Sequence, residues 1–346
     1  MQWLKAPVAA IAGFLIASSL AAHLLPTPDL PHTVREKVAH LSEHGDEYDA
    51  IFLGSSRIQN HLIPNLFDRQ MAAGGVSMKS FNFGISAMHF PEDDYVLDFI
   101  LAQPHARLRW IFVELDFFDT SVPKDQAGTL RGVYWHDWPR FSIVCHRLAV
   151  SKEKGIRRSI RDAFERTSDF IDHARLFCEL TSNAGRGEDA LAHWMDRVPP
   201  KPLDPSSLGP DGDGWLPAIS SQGDIANQKS GRLAKMLKER IMEPPAKQFD
   251  DRTSQNILAS YLERIVRSGV TPIIVIPPRI RQYYFYPRKD IARQFPIIDF
   301  CDPQRFPELY KESVRVDGSH LNEAGAEIFT RLLANEFSAI LHKAKF

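Results

Sequence analysis

The sequence predicts an α/β protein in which a doubly wound parallel sheet carries helices on both faces. Three observations lead there. Short continuous apolar runs stop abruptly at Gly, Ser or Pro, helix-length stretches with an apolar stripe separate them, and the chain closes on a long amphipathic segment. Continuous rather than alternating apolar runs suit strands buried on both faces, and strands that alternate with helices pair in parallel.

A polar stretch at 27–45 carries a short helix around Val34–Leu41. Ala50–Leu53 is the first strand, stopped by Gly54-Ser55-Ser56. Ile63–Met71 reads as a helix closed by Gly74-Gly75. Met78–Phe83 is the second strand and ends at Gly84. His89–Leu101 is a helix with Pro91, Glu92, Asp93 and Asp94 in its first turn, where the helix dipole favours acids. Trp110–Val113 is the third strand. The rhythm stops near Asp119 and resumes near Arg252. There Ile257, Leu258, Tyr261, Leu262, Ile265 and Val266 form a helical stripe that ends at Gly269. Ile273–Ile276 is a fourth strand capped by Pro277-Pro278, Ile297–Phe300 a fifth, and Glu323–Phe337 the closing helix.

Three parts follow: an N-terminal segment at 1–30, an α/β core of 46–118 with 255–346, and an insertion at 119–254 that serves as a lid or a partner surface. The insertion is helical and basic at first, with Lys152, Lys154, Arg157, Arg158 and Arg161, and rich in Pro, Gly and Asp from Pro199 to Trp215. The basic run reads as a solvated helix face or as a contact for anionic lipid or glycan.

The 346 residues are 44% hydrophobic and 25% charged, which excludes a disordered, collagenous or polytopic membrane protein. Lys+Arg 42 against Asp+Glu 43 leaves a net charge of −1, so nothing points to nucleic acid. Cys145, Cys178 and Cys301 are too scattered for a zinc ribbon. Cys145 with Cys178 is the one pair within a segment, read as a disulfide or as buried free thiols. No His, Asp or Glu cluster has metal-ligand spacing, and no cofactor is implied.

Ala6–Leu25 is a run of 20 residues without Lys, Arg, Asp or Glu. As a helix it spans roughly 30 Å, the hydrocarbon thickness of a bilayer. Lys5 precedes it and Pro26, Pro28 and Pro31 follow, so the positive-inside rule keeps the N-terminus in the cytoplasm and the rest outside. The competing reading is a cleaved signal peptide, with Ser19-Leu20-Ala21 as its site.

Three places past the ends of strands can carry chemistry, where doubly wound sheets hold their sites. A serine in the tight turn Gly54-Ser55-Ser56-Arg57 exposes its hydroxyl beside backbone amides, or is a plain helix cap. In Asp317-Gly318-Ser319-His320-Leu321-Asn322, His320 can act as a general base oriented by Asp317, or the segment is an Asx-turn. Asn82-Phe83-Gly84 ends the second strand with a glycine that admits close backbone approach, or is simply a turn. Arg57, Arg279 and Arg281 fall on the same rim, as contacts for an anionic or carbohydrate substrate or as salt bridges, while His61 and His89 pack or cap.

Together, this order and spacing resembles the SGNH (GDSL-type) hydrolase superfamily, over about half the chain. The resemblance implies a flavodoxin-like SGNH fold with Ser56 as nucleophile, Gly84 as oxyanion glycine, Asp317 as orienting acid and His320 as base. Two positions depart from the pattern. Ser55 stands where the family has Asp, as in the membrane-anchored branch that includes the D-alanine transfer protein and polysaccharide O-acetyltransferase domains. Asp116 stands where the family has an oxyanion asparagine. An ionised Asp116 donates no hydrogen bond, so one oxyanion donor is missing unless Asp116 is protonated or the side chain of Asn82 faces the site rather than serving as a structural turn residue. The resemblance further implies a single-pass protein of a bacterial inner membrane, its catalytic domain periplasmic or extracellular. Its substrate would be an acylated cell-envelope or exported glycan, and its partner a membrane O-acyltransferase. The other class of reading is a catalytically degraded scaffold that binds glycan or an assembly partner.

Overall fold

All five apolar runs become strands of one sheet. In a computed structural model of the chain, the described residues are 30–115, 129–150, 156–182, 205–243, 245–248, 252–280 and 283–344, with 9–10, 13–14, 16–17, 122 and 126. The first elements are α1 (His32–His44), β1 (Ala50–Gly54), α2 (Ser56–His61), α3 (Pro64–Ala73), β2 (Ser80–Gly84), α4 (Glu92–Ala102) and β3 (Trp110–Glu114). Next come α5 (Leu130–Val133), α6 (Trp138–Val150), α7 (Ile156–Ser182), α8 (Gln222–Lys229), α9 (Arg232–Met242) and β4 (Ala246–Gln248). The chain ends with α10 (Arg252–Arg267), β5 (Thr271–Ile276), β6 (Tyr283–Phe285), α11 (Lys289–Gln294), β7 (Ile297–Asp299) and α12 (Glu323–Ala344).

The sheet runs β2-β1-β3-β5-β7 with every pair parallel, so the expected α/β class and parallel sheet hold. Gly54 lies opposite Gly84, which levels the carboxyl ends of β1 and β2. On one face Phe52, Phe112, Ile273 and Val275 join Phe67 of α3, Leu233 and Leu237 of α9, and Phe329, Leu333 and Phe337 of α12 in one apolar cluster. The alternate residues Ile51, Leu53, Ile111, Val113 and Ile274 are buried as well, and α4 packs on β1 and α10 on β5. Burial on both faces is the physical reason these strands read as continuous apolar runs.

Residues 36–119 and 204–346 form one compact unit, and 1–35 with 120–203 a second. The described part of the Pro/Gly/Asp-rich stretch, 205–215, therefore groups with the sheet rather than with residues 120–203 of the insertion. Hydrogen bonds explain why. The Asn82 amide donates to the Asp213 carbonyl at 2.9 Å, and the Trp215 indole donates to the Asn60 carbonyl at 3.0 Å. Lys37 of α1 is buried, and its ammonium donates to the carbonyls of Asn82, Gly84 and Gly214 at 2.8, 2.8 and 2.7 Å. Burial pulls its pKa down to about 7, with Asp213 opposing. Gly214 has φ +89°, and a Cβ there would lie 2.0 Å from the Asn82 carbonyl oxygen. Gly214→Ala is expected to destabilise this unit by about 2–4 kcal/mol, from left-handed backbone strain plus the clash, as urea unfolding would register.

In the other unit, α6 and α7 meet through Phe141 stacked on Phe177, centroids 4.7 Å apart, and His136 hydrogen-bonds His173 at 2.8 Å. Cys145 and Cys178 form no disulfide with each other, and Cys178 is exposed rather than buried. The side chains of Lys152, Lys154, Arg157, Arg158 and Arg161 lie outside the described residues. Among the described residues no helix is long and apolar enough to cross a membrane. Most of the run at 6–25 lies outside them.

Candidate active site

The β1 run ends at Gly54, where a Cβ would meet Ile58 at 2.4 Å and the Glu114 carboxylate at 2.6 Å. The chain therefore turns sharply at the sheet's carboxyl edge. Ser55 is the extended N-cap of α2, its hydroxyl accepting from the Arg57 amide at 3.3 Å. That makes Ser56 the first helical residue, partly exposed at the end of β1.

The histidine paired with Ser56 comes from the far end of the chain. One oxygen of Asp317 accepts the amides of Ser319 and His320 at 2.5 and 2.7 Å, which is an Asx-turn. The other oxygen accepts from His320 Nδ1 at 2.8 Å. The Asx-turn and the Asp317–His320 pairing thus coexist, one on each carboxylate oxygen. His320 Nε2 lies 2.8 Å from Ser56 Oγ. With its proton on Nδ1 toward Asp317, the ring presents a bare Nε2 to the serine hydroxyl. Burial pushes the Asp317 carboxyl up, but hydrogen bonds from His320 and Ser319 outweigh it, so Asp317 lies below the usual carboxylate range and stays ionised. The structure brings Ser56, Asp317 and His320 together.

The oxyanion assignments fare differently. The Gly84 N–H donates to Asn82 Oδ1 at 2.8 Å, and its carbonyl accepts from Lys37, so its amide is engaged within the fold. A Cβ at Gly84 would lie 2.2 Å from the Gln59 nitrogen; glycine is required here because α2 passes so close. Asn82 is fully buried, and its amide donates to the carbonyls of Ile58 and Leu62 at 2.8 and 2.7 Å. It caps the end of α2 and does not face the serine. Asp116 lies outside the described residues.

Arg57 and Arg279 are not open rim cations. Both are buried. Arg57 Nε donates to Glu114 Oε1 at 2.6 Å, and Arg279 donates to the Leu115 carbonyl at 2.5 Å and lies 3.9 Å from the same carboxylate. The second Glu114 oxygen accepts the Ser55 amide at 2.7 Å, so this carboxylate braces the turn that carries Ser56. Arg57 and Arg279 still line, with Met236, Ile280, Gly318 and Ser319, a cavity of about 210 Å³ beside the paired serine and histidine. Arg281 lies outside the described residues. His89 Nδ1 meets the Ala87 carbonyl at 3.0 Å; the N-cap of α4 is Pro91, and no side chain caps that helix.

Several residues escaped sequence reasoning. Glu114 sits at the end of an apolar strand, and only a charge inside such a run could have flagged it. Met236 falls on α9, in the stretch read as insertion. Ala87 has φ +56°, in an exposed turn closed by the Met88 amide on the Ile85 carbonyl at 3.0 Å. That turn is joined to the end of β1, where the Ile85 amide donates to the Gly54 carbonyl at 2.9 Å. Among the described residues no group of three or more His, Cys, Asp or Glu is placed to hold a metal. No protein-family model matches the chain, and no curated protein is significantly similar to it.

Proposed function

We propose that this chain is a serine ester hydrolase or O-acyltransferase of the SGNH type, acting through an acyl-enzyme on Ser56. The observation that carries this is the pair of 2.8 Å contacts joining Ser56 Oγ to His320 and His320 to Asp317. The strand order β2-β1-β3-β5-β7 supports a flavodoxin-like core of that type.

In the first half-reaction Ser56 Oγ bonds to the ester carbonyl carbon while its proton passes to His320 Nε2. Asp317 stabilises the imidazolium and keeps the ring oriented. The tetrahedral intermediate collapses, the alcohol leaves with the proton from His320, and the acyl group stays on Ser56. Water or a sugar hydroxyl then attacks in the same manner and restores the serine. Since Gly84 and Asn82 are engaged elsewhere, this reading gives the oxyanion role to the Ser56 amide in the first turn of α2. The apolar run at 6–25 supports a single N-terminal anchor, with the catalytic unit outside the cytoplasmic membrane. An acylated envelope or exported glycan as substrate, supplied by a membrane O-acyltransferase partner, follows from the family likeness alone.

Treatment with a fluorophosphonate followed by intact mass measurement tests the reading. One adduct is expected, located on Ser56 by peptide mapping. An unlabelled protein that is retained on a glycan column would favour a non-catalytic scaffold instead.

A further inference from the structure

His61 is the last residue of α2, the helix that starts at the nucleophile, and it is fully buried. Its Nε2 accepts the backbone N–H of Leu321, the residue after His320, at 3.0 Å. Its ring stands edge-on to the His320 ring, with centroids 6.2 Å apart, and edge-on to Phe329 at 5.9 Å. Its carbonyl accepts from the Thr330 hydroxyl at 3.3 Å, and that hydroxyl also accepts the Ile63 amide at 3.1 Å. The carboxyl end of the nucleophile's helix is thus fastened, by one residue, both to the turn that carries the base and to α12.

We propose that His61 is a positioning residue for His320: its neutral ring holds the Leu321 amide and thereby fixes the base at hydrogen-bonding distance from Ser56. The inference rests on the catalytic reading above. The bond dictates the ring's protonation, because a nitrogen that accepts an amide proton carries none of its own. The single ring proton therefore sits on Nδ1, which is buried without a hydrogen-bond partner. Burial, then the charges of His320, Arg315 and Arg57 that face the ring, hold His61 far below the usual histidine range. A cationic His61 would lose the Leu321 bond and oppose the imidazolium that forms on His320 during the reaction. An aliphatic side chain would fill the volume but leave the Leu321 amide buried without an acceptor.

The test compares His61→Leu with His61→Gln, whose side-chain oxygen can accept the same amide, using p-nitrophenyl acetate hydrolysis normalised to correctly folded protein. A displacement of the base on the order of 1 Å costs about 100-fold in rate. His61→Leu is expected to lower kcat by about 100-fold with KM nearly constant, to slow phosphonylation of Ser56 in parallel, and to speed hydrogen exchange at the Leu321 amide. His61→Gln is expected to recover most of that loss. In a His320→Ala background, His61→Leu should cost nothing further, because a residue that acts through His320 has no effect once His320 is gone. A His61→Leu rate equal to wild type, an undiminished loss in the His320→Ala background, or a His61→Gln rate as low as that of His61→Leu would overturn the positioning role alone. Wild-type protein that neither hydrolyses the ester nor takes the label at Ser56 would overturn the catalytic reading and the positioning role with it.

Discussion

Ser56→Ala is expected to lower hydrolysis of p-nitrophenyl acetate by about 10⁴- to 10⁶-fold while leaving the unfolding midpoint almost unchanged. The size of the loss comes from the way a nucleophile, base and orienting acid act as one unit, so that removing one member forfeits nearly the whole contribution. The neutrality of the fold comes from position. Ser56 is partly exposed, and its hydroxyl contacts His320 rather than the core, while the turn is held by Ser55 and Glu114. Alanine is also a good residue for the first turn of a helix. A variant that hydrolyses the ester at the wild-type rate would remove Ser56 from the chemistry. One that loses activity together with its cooperative unfolding would show instead that the hydroxyl is structural.

Lys37→Met is expected to destabilise the sheet unit by about 3–5 kcal/mol, the range for removing one partner of a buried charged network. Methionine has nearly the length of the lysine stem but no donor. The carbonyls of Asn82, Gly84 and Gly214 would then lose the ammonium at 2.7–2.8 Å that satisfies them inside the protein. The effect should centre on the end of β2 and the 209–216 segment, so hydrogen exchange at the Asn82 amide should quicken along with the drop in the urea midpoint. A loss below about 1 kcal/mol would mean that water takes over the three carbonyls at little cost.

What was readable in the sequence follows from how strongly each feature imprints a pattern. Strands covered on both faces leave unbroken apolar runs, so β1, β3 and β5 were found within a residue or two. The Asp317-x-x-His320 turn and the serine after β1 were legible because their residue types are rare in that spacing. Helix α2 was not, since six residues are too few to show a periodic stripe. The 205–216 stretch reads as part of the insertion because its Gly, Pro and Asp show no period; Gly209, Gly212 and Gly214 have positive φ, and at Gly209 and Gly214 the backbone presses against Trp215 and Asn82. Gly84 ends its strand as the sequence predicts, while its amide is taken up by Asn82. Sequence shows that a backbone comes close there, not whether the neighbour is a ligand or the protein's own helix.

The two groups that meet at 2.8 Å are separated by 264 positions in the chain. At about 5–20 residues per second, a ribosome needs roughly 13 to 50 s to make that interval. During translation Ser56 therefore emerges long before its partner exists, and in the proposed catalytic reading every nascent chain passes through a chemically silent period. In the proposed catalytic reading a polypeptide that ends before residue 320 lacks the base, so ester hydrolysis would report that synthesis had passed that point.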